Sequence, residues 1–205
     1  MERTNSVDSA DAEPPCSPRN RVAYVAAVPD LQPTLIGPRI VVRPITAADW
    51  DEMFAAAADP EVWALHPIRE RYKAEVFRDF FDGAIASRSA FSFVDRQAGT
   101  VIGSSRYYGH DPIAREIEIG WTFLARSYWG GSYNAEVKRL MLEHAFHFAD
   151  TVVFWVGETN WRSQRAMEKI GGRRRSGLQP RTLGGTTWMH VVYEILKRDF
   201  DPDRL

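Results

Sequence analysis

The chain has 205 residues, with 26 Lys or Arg against 27 Asp or Glu and a formal net charge of −1. Its 44% hydrophobic and 12% aromatic content can build a core, which excludes a wholly disordered chain, and the balanced charge argues against a nucleic-acid binder. One cysteine, Cys16, excludes an intrachain disulfide framework and any zinc site built on several thiolates, and it fits a reducing, cytoplasmic setting.

The longest apolar run, residues 22–28, falls far short of the roughly 20 residues a membrane-spanning helix needs. No apolar stretch follows the polar start as a secretory signal would require. A cytoplasmic protein with no membrane partner is expected. Residues 1–33 hold five of the twelve prolines and scattered Ser and acidic residues, a composition that cannot offset the entropy of ordering. They read as a tail, with residues 22–28 docking on the domain formed by residues 34–205.

That domain opens with a strand at 39–43, stopped by Pro44. Thr46 and Asp49 form a capping-box-like helix start. Trp50, Met53, Phe54 and Ala57 then recur at helical spacing until Asp59-Pro60 closes the helix. A second helix covers 73–88, and strands follow at 90–95, 100–108 and 115–124. In the last of these the alternation puts Ile117, Ile119, Trp121 and Phe123 on one face and Glu116, Glu118, Gly120 and Thr122 on the other. A helix at 134–149, a central strand at 151–156 and a short helix at 161–170 come next. Asn160 caps that last helix in front and Gly171-Gly172 behind. Two strands flanking Gly184-Gly185 finish a mixed α/β domain.

The segment with chemical content is Tyr128-Trp129-Gly130-Gly131-Ser132-Tyr133-Asn134-Ala135-Glu136. Small residues at 130–132 let the backbone turn tightly ahead of a helix, whose unpaired N–H groups suit an anion such as a diphosphate. A second segment, Asn160-Trp161-Arg162-Ser163 followed by Met167-Glu168-Lys169-Ile170-Gly171-Gly172, stands at a fixed distance beyond it.

Together with the Arg39…Arg43-Pro44 opening, these motifs resemble the GCN5-related N-acetyltransferases (GNAT), and within them the RimJ/RimL-like branch that acetylates ribosomal-protein N-termini. The likeness spans about residues 34–198. It implies a single GNAT-like α/β domain with a mixed, mostly antiparallel sheet splayed between its central strands and helices on both faces. It also implies acetyl-CoA as acetyl donor, no metal, and an amine acceptor, either a protein N-terminus or a small molecule. A homodimer is among the expected assemblies.

The cofactor-binding residues implied are Trp121, Phe123, Leu124, Trp129, Gly130, Gly131, Ser132, Tyr133, Asn134 and Asn160. Ser132 stands where the family usually has a second glycine. Some relatives carry a basic carboxylate near the final hairpin, whereas Pro180-Arg181-Thr182-Leu183 has none. Glu118 is then the leading general base, with cross-strand pairing to Arg106 as the alternative; Glu116 ranks lower. Ser163 is the residue expected to donate to the CoA sulfur, with stabilisation of its own helix turn as the alternative. His66 falls where relatives admit the acceptor.

Two readings from other classes remain open. One is an acyl-CoA-binding module without catalysis. The other is an RNA-associated accessory protein using the stretch 162–181, which holds seven basic residues and one acid, Glu168.

Overall fold

The computed structural model describes residues 28–204. Most of the expected tail lies outside that range, as do residues 22–27 of the segment expected to dock; Val28, its last residue, is exposed. Other residues assigned to the tail but described here pack on the domain: Leu31 joins the core, the Gln32 side-chain amide donates to the Ala90 carbonyl, and the Asp30 carbonyl meets His144 Nε2 at 2.8 Å.

The strands are β1 (Leu35–Ile36), β2 (Ile40–Pro44), β3 (Ala90–Asp95), β4 (Val101–Asp111), β5 (Glu116–Leu124), β6 (Thr151–Gly157), β7 (Arg173–Arg174), β8 (Gln179–Leu183) and β9 (Thr186–Leu196). They form one sheet in the order β1-β2-β3-β4-β5-β6-β9-β7, with β8 paired to β9. Every pairing is antiparallel except β5 with β6.

The helices are α1 (Trp50–Ala57), α2 (Pro60–Trp63), α3 (Ala74–Ser87), α4 (Tyr133–Ala145) and α5 (Trp161–Lys169). On one side of the sheet α4 and α5 cover Ile117, Ile119, Val152 and Phe154; on the other α1, α2 and α3 build an aromatic layer from Trp63, Phe77, Phe80 and Phe81. This is the expected mixed, mostly antiparallel α/β domain with helices on both faces. No helix among the described residues is long and apolar enough to cross a membrane.

Local chemistry explains the element ends. Asp49 accepts from the Thr46 amide at 2.8 Å, from both terminal nitrogens of Arg43 at 2.9 and 2.6 Å, and from the Ser92 hydroxyl at 2.7 Å. Burial opposes its charge, yet these donors hold the carboxyl below its ordinary value. One acid thus ties β2, β3 and the start of α1 together. Asp59-Pro60 ends α1 but also begins α2: the Asp59 carboxylate accepts from the Glu61 amide at 2.9 Å, and proline fits the first helical position. The helix expected to reach residue 149 stops at Ala145.

The largest departure is in β5. Trp121 has φ +53°, a left-handed conformation in mid-strand. Arg106 faces Gly120 and Ser104 faces Phe123, so β5 spends one more residue than β4 over that span. This bulge breaks the two-residue alternation. Ile117 and Ile119 point to the α4 side, whereas Trp121 and Phe123 point to the α3 side. The single apolar face expected for this strand is therefore two half-faces.

Candidate functional site

Strands β5 and β6 stay paired over three positions, 116–118 with 151–153, and then separate. Beyond the split a cavity of about 590 Å³ runs between residues 119–124 and 154–157. One end is walled by α4 and α5, and the other by α2, the segment 65–71 and α3. Pro67 lies 3.6 Å from the position a Cβ would take on Gly157, so this segment arches directly over the end of β6.

The loop at 130–132 stands at the α4 end. Gly130 has φ +74°, a conformation that favours glycine. The backbone N–H groups of residues 130–135 meet no acceptor among the described residues; the first amide of this stretch to do so is that of Glu136, which donates to the Ser132 carbonyl at 2.9 Å. The helix start is held in place from behind, because the buried Glu136 carboxylate accepts from the Arg39 and Ile40 amides at 2.8 and 3.2 Å and from Arg39 Nε at 3.0 Å. In front, the Trp129 indole donates to the Leu124 carbonyl at 2.9 Å, and Arg162 stacks 4.2 Å above the Trp129 ring. A row of free donors at a helix start is the chemistry a diphosphate needs.

Of the residues singled out in the sequence, Trp121, Phe123, Leu124, Trp129, Gly130, Gly131, Asn134, Asn160 and Ser163 line the cavity. Ser132 and Tyr133 do not; the Tyr133 hydroxyl instead donates to Asp95 at 3.2 Å, and Ser132 makes no side-chain cap. The Asn160 side chain accepts from the Ser163 amide at 3.1 Å, capping α5 as expected. It is the backbone of Ser163 that serves this turn, and no hydrogen bond engages the Ser163 hydroxyl among the described residues.

Glu118 lies behind the cavity wall. Its partner is Arg181 rather than Arg106: the guanidinium donates to both carboxylate oxygens at 2.8 and 2.6 Å. Burial raises the Glu118 carboxyl above its ordinary value, with Arg181 and then Arg106 opposing. Glu116 is likewise occupied, by Arg175, which also donates to Glu194 at 2.7 Å. The basic stretch is thus not one surface. Arg175 is paired with the half-buried Glu116 and Glu194 and Arg181 with the buried Glu118, while Arg162, Arg165 and Lys169 border the cavity.

Residues not singled out by the motifs complete the site. Lys138, buried in α4, donates to Thr122 Oγ1 at 2.8 Å and has no carboxylate partner among the described residues. Burial pulls its ammonium down to about 7. A cation within the apolar stripe Val137, Leu140, Met141 was the available signal. His190, on β9, lines the cavity, and its Nδ1 lies 3.1 Å from the Trp188 carbonyl. That contact places the proton on Nδ1 and leaves Nε2 with a lone pair. Burial, with nearby Arg181, keeps the ring below its ordinary pKa and therefore neutral at pH 7. A single histidine in an apolar strand gives no sequence signal.

A family model described as an acetyltransferase (GNAT) domain matches residues 39–173. The chain belongs to the GNAT acetyltransferase family. Solved structures agree in fold. A GCN5-related N-acetyltransferase from Brucella melitensis superposes with a TM-score of 0.73 at 20% identity, over 82% of this chain and 80% of that one. An acetyltransferase from Agrobacterium tumefaciens str. C58 gives 0.61 at 25% identity, over 80% and 95%. A protein described as a ribosomal-protein-serine acetyltransferase from Vibrio cholerae gives 0.66 at 16%, over 80% and 97%. GNAT membership makes this chain an acyltransferase. Of the motifs that carry the family likeness, the loop segment and the Asn160 segment contribute residues to the cavity, whereas the Arg39…Arg43-Pro44 opening does not.

Proposed function

We propose that this GNAT protein transfers acetyl from acetyl-CoA to a primary amine by direct attack on the thioester. The observation that carries the reading is the cavity at the β5–β6 split, open on one side to the free amides of residues 130–135 and on the other to the segment 65–71. When bound, acetyl-CoA supplies the activated acetyl group. The amides of residues 130–135 would hold its diphosphate, and the unpaired flank of β5 would hold its amide-bearing arm.

In this reading the amine enters from the α3 side. A terminal amine has an ordinary pKa near 7.7–8.0 and a lysine near 10.4, so a proton must leave before attack. His190 Nε2 takes that proton, because the ring lines the cavity, is neutral and is fixed in the tautomer that leaves Nε2 unprotonated. The amine nitrogen bonds to the acetyl carbon, the carbon–sulfur bond breaks, and the second proton of the nitrogen passes to the departing sulfur through the Ser163 hydroxyl, leaving the amide, the free thiol and a protonated His190. Glu118, with both oxygens held by Arg181, serves by fixing Arg181 beside His190 rather than by taking the proton.

A protein N-terminus, as in the RimJ/RimL-like branch, and a small molecule are both acceptors of this kind. The test is release of free thiol from acetyl-CoA across an amine panel, with mass spectrometry of the products. Tight CoA binding without turnover on any amine would favour a binding module. Salt-sensitive RNA binding without CoA binding would favour an accessory protein.

A further inference from the structure

At the α3 end of the cavity His66 and Arg71 face each other under unusual terms. The Ile68 amide donates to His66 Nδ1 at 2.9 Å, so that nitrogen carries no proton. Burial pushes the ring down to about 3, and a neutral ring then bears its one proton on Nε2. Yet His66 Nε2 lies 3.0 Å from Arg71 Nη1, which is also an N–H donor. Two donors meet with no acceptor between them.

Arg71 is only 7% exposed and has no carboxylate partner among the described residues. Its guanidinium rests against the rings of Trp63 and Phe80, 5.4 and 4.8 Å from their centroids. The charge that acts on it is the like charge of Arg106, which adds to the effect of burial. Glu118 is no help to it, being closed onto Arg181. A buried cation paired with a donor rather than an acceptor is costly unless an anion completes it.

We infer that the acceptor amine carries a carboxylate, which seats beside this pair and accepts from both the Arg71 guanidinium and the His66 Nε2–H. The inference rests on the acetyl-transfer reading above and names its substrate class. One cationic guanidinium and one neutral N–H match a monoanion and the planar fork of a carboxylate. The donor's own phosphates do not compete for this place, because the free amides of residues 130–135 stand at the opposite end of the cavity.

The test measures thiol release from acetyl-CoA with matched pairs: free amino acids against their amides, and Ala-Asp dipeptide amide against Ala-Asn dipeptide amide. The first pair reports a main-chain carboxylate and the second a side-chain one; O-phosphoethanolamine is a further arm. In at least one pair the acid should exceed its amide in kcat/KM by about 10- to 100-fold, the range of a charge-assisted hydrogen bond. Arg71→Met should bring that ratio toward one while acetyl-CoA affinity by calorimetry holds, and Arg71→Lys should restore part of it. Equal rates within both pairs, a ratio that survives Arg71→Met, or preference for the phosphate would overturn the inference. The site is also read without turnover, by calorimetric titration with N-acetylated amino acids and their amides. Carboxylate-selective binding lost in Arg71→Met supports it, and unselective binding overturns it. Failure of the protein to bind acetyl-CoA sinks the acetyl-transfer reading instead, and leaves this titration standing.

Discussion

Arg181 closes both terminal nitrogens of its guanidinium onto Glu118, at 2.8 and 2.6 Å, joining the final hairpin to the last paired rung of β5. The carboxylate is only 5% exposed, so this is an ion pair inside the protein. Removing one partner of such a pair leaves the other charge buried and uncompensated, at a typical cost of about 3–5 kcal/mol. Glu118→Gln should therefore lower stability by that order in urea denaturation. It should also move the acidic limb of the pH–rate profile to lower pH, because an unbalanced Arg181 disfavours the protonated His190 ring. Loss of the limb altogether would return the proton-accepting role to Glu118.

His190→Gln should reduce kcat by about 10²-fold or more, the usual contribution of a positioned base. In the proposed reaction the base works when neutral, and burial holds the His190 pKa below the ordinary 6.5. Activity should consequently be flat near pH 7 and fall only below pH 6.5. Stopped assays from pH 5 to 9 on both proteins check this, with the limb absent in the variant.

Gly131→Asp is the cleaner probe of the anion site. Gly130 has a positive φ, so any side chain there strains the backbone, whereas Gly131 does not and a Cβ on it meets nothing within 4 Å. A carboxylate at Gly131 should weaken CoA binding by about tenfold or more through like-charge repulsion, with Tm unchanged. Calorimetry and a thermal melt check the two halves.

Lys138 supplies a signed stability prediction. Its folded pKa of about 7 lies below the ordinary 10.5, so between those values the unfolded chain binds the extra proton and stability rises with pH. The slope is about 1.4 kcal/mol per pH unit at most. Lys138→Met removes that term and should be more stable than the native chain at pH 7, with the difference narrowing toward pH 10. Denaturation at both pH values, compared between the two proteins, reads it.

Much of this molecule was legible in its residues. Asp49, Asn160 and the glycines at 130–131 declare element ends through capping and backbone freedom, and the structure uses them so. Strand β5 departs from its alternation because period two assumes an unbroken strand, and nothing in Gly120-Trp121-Thr122 announces a left-handed tryptophan. The partner of Glu118 was hidden for a different reason. Arg181 is 63 positions away and arrives through a hairpin whose register no local pattern specifies. The family likeness placed His66 where the acceptor enters, and it does line the cavity, but Arg71 and His190 join it there only once a connecting segment folds over the end of β6, which spacing does not reveal.

The three-rung contact between β5 and β6 leaves this protein with a seam that most sheets confine to their rims. Along residues 119–124 one flank of the backbone has no neighbouring strand to satisfy it, and it sits at the centre of the molecule instead of the periphery. A guest with amide groups along its length would complete the sheet like an inserted thread, and recognition of that kind would be written in the main chain and tolerate wide drift in side chains.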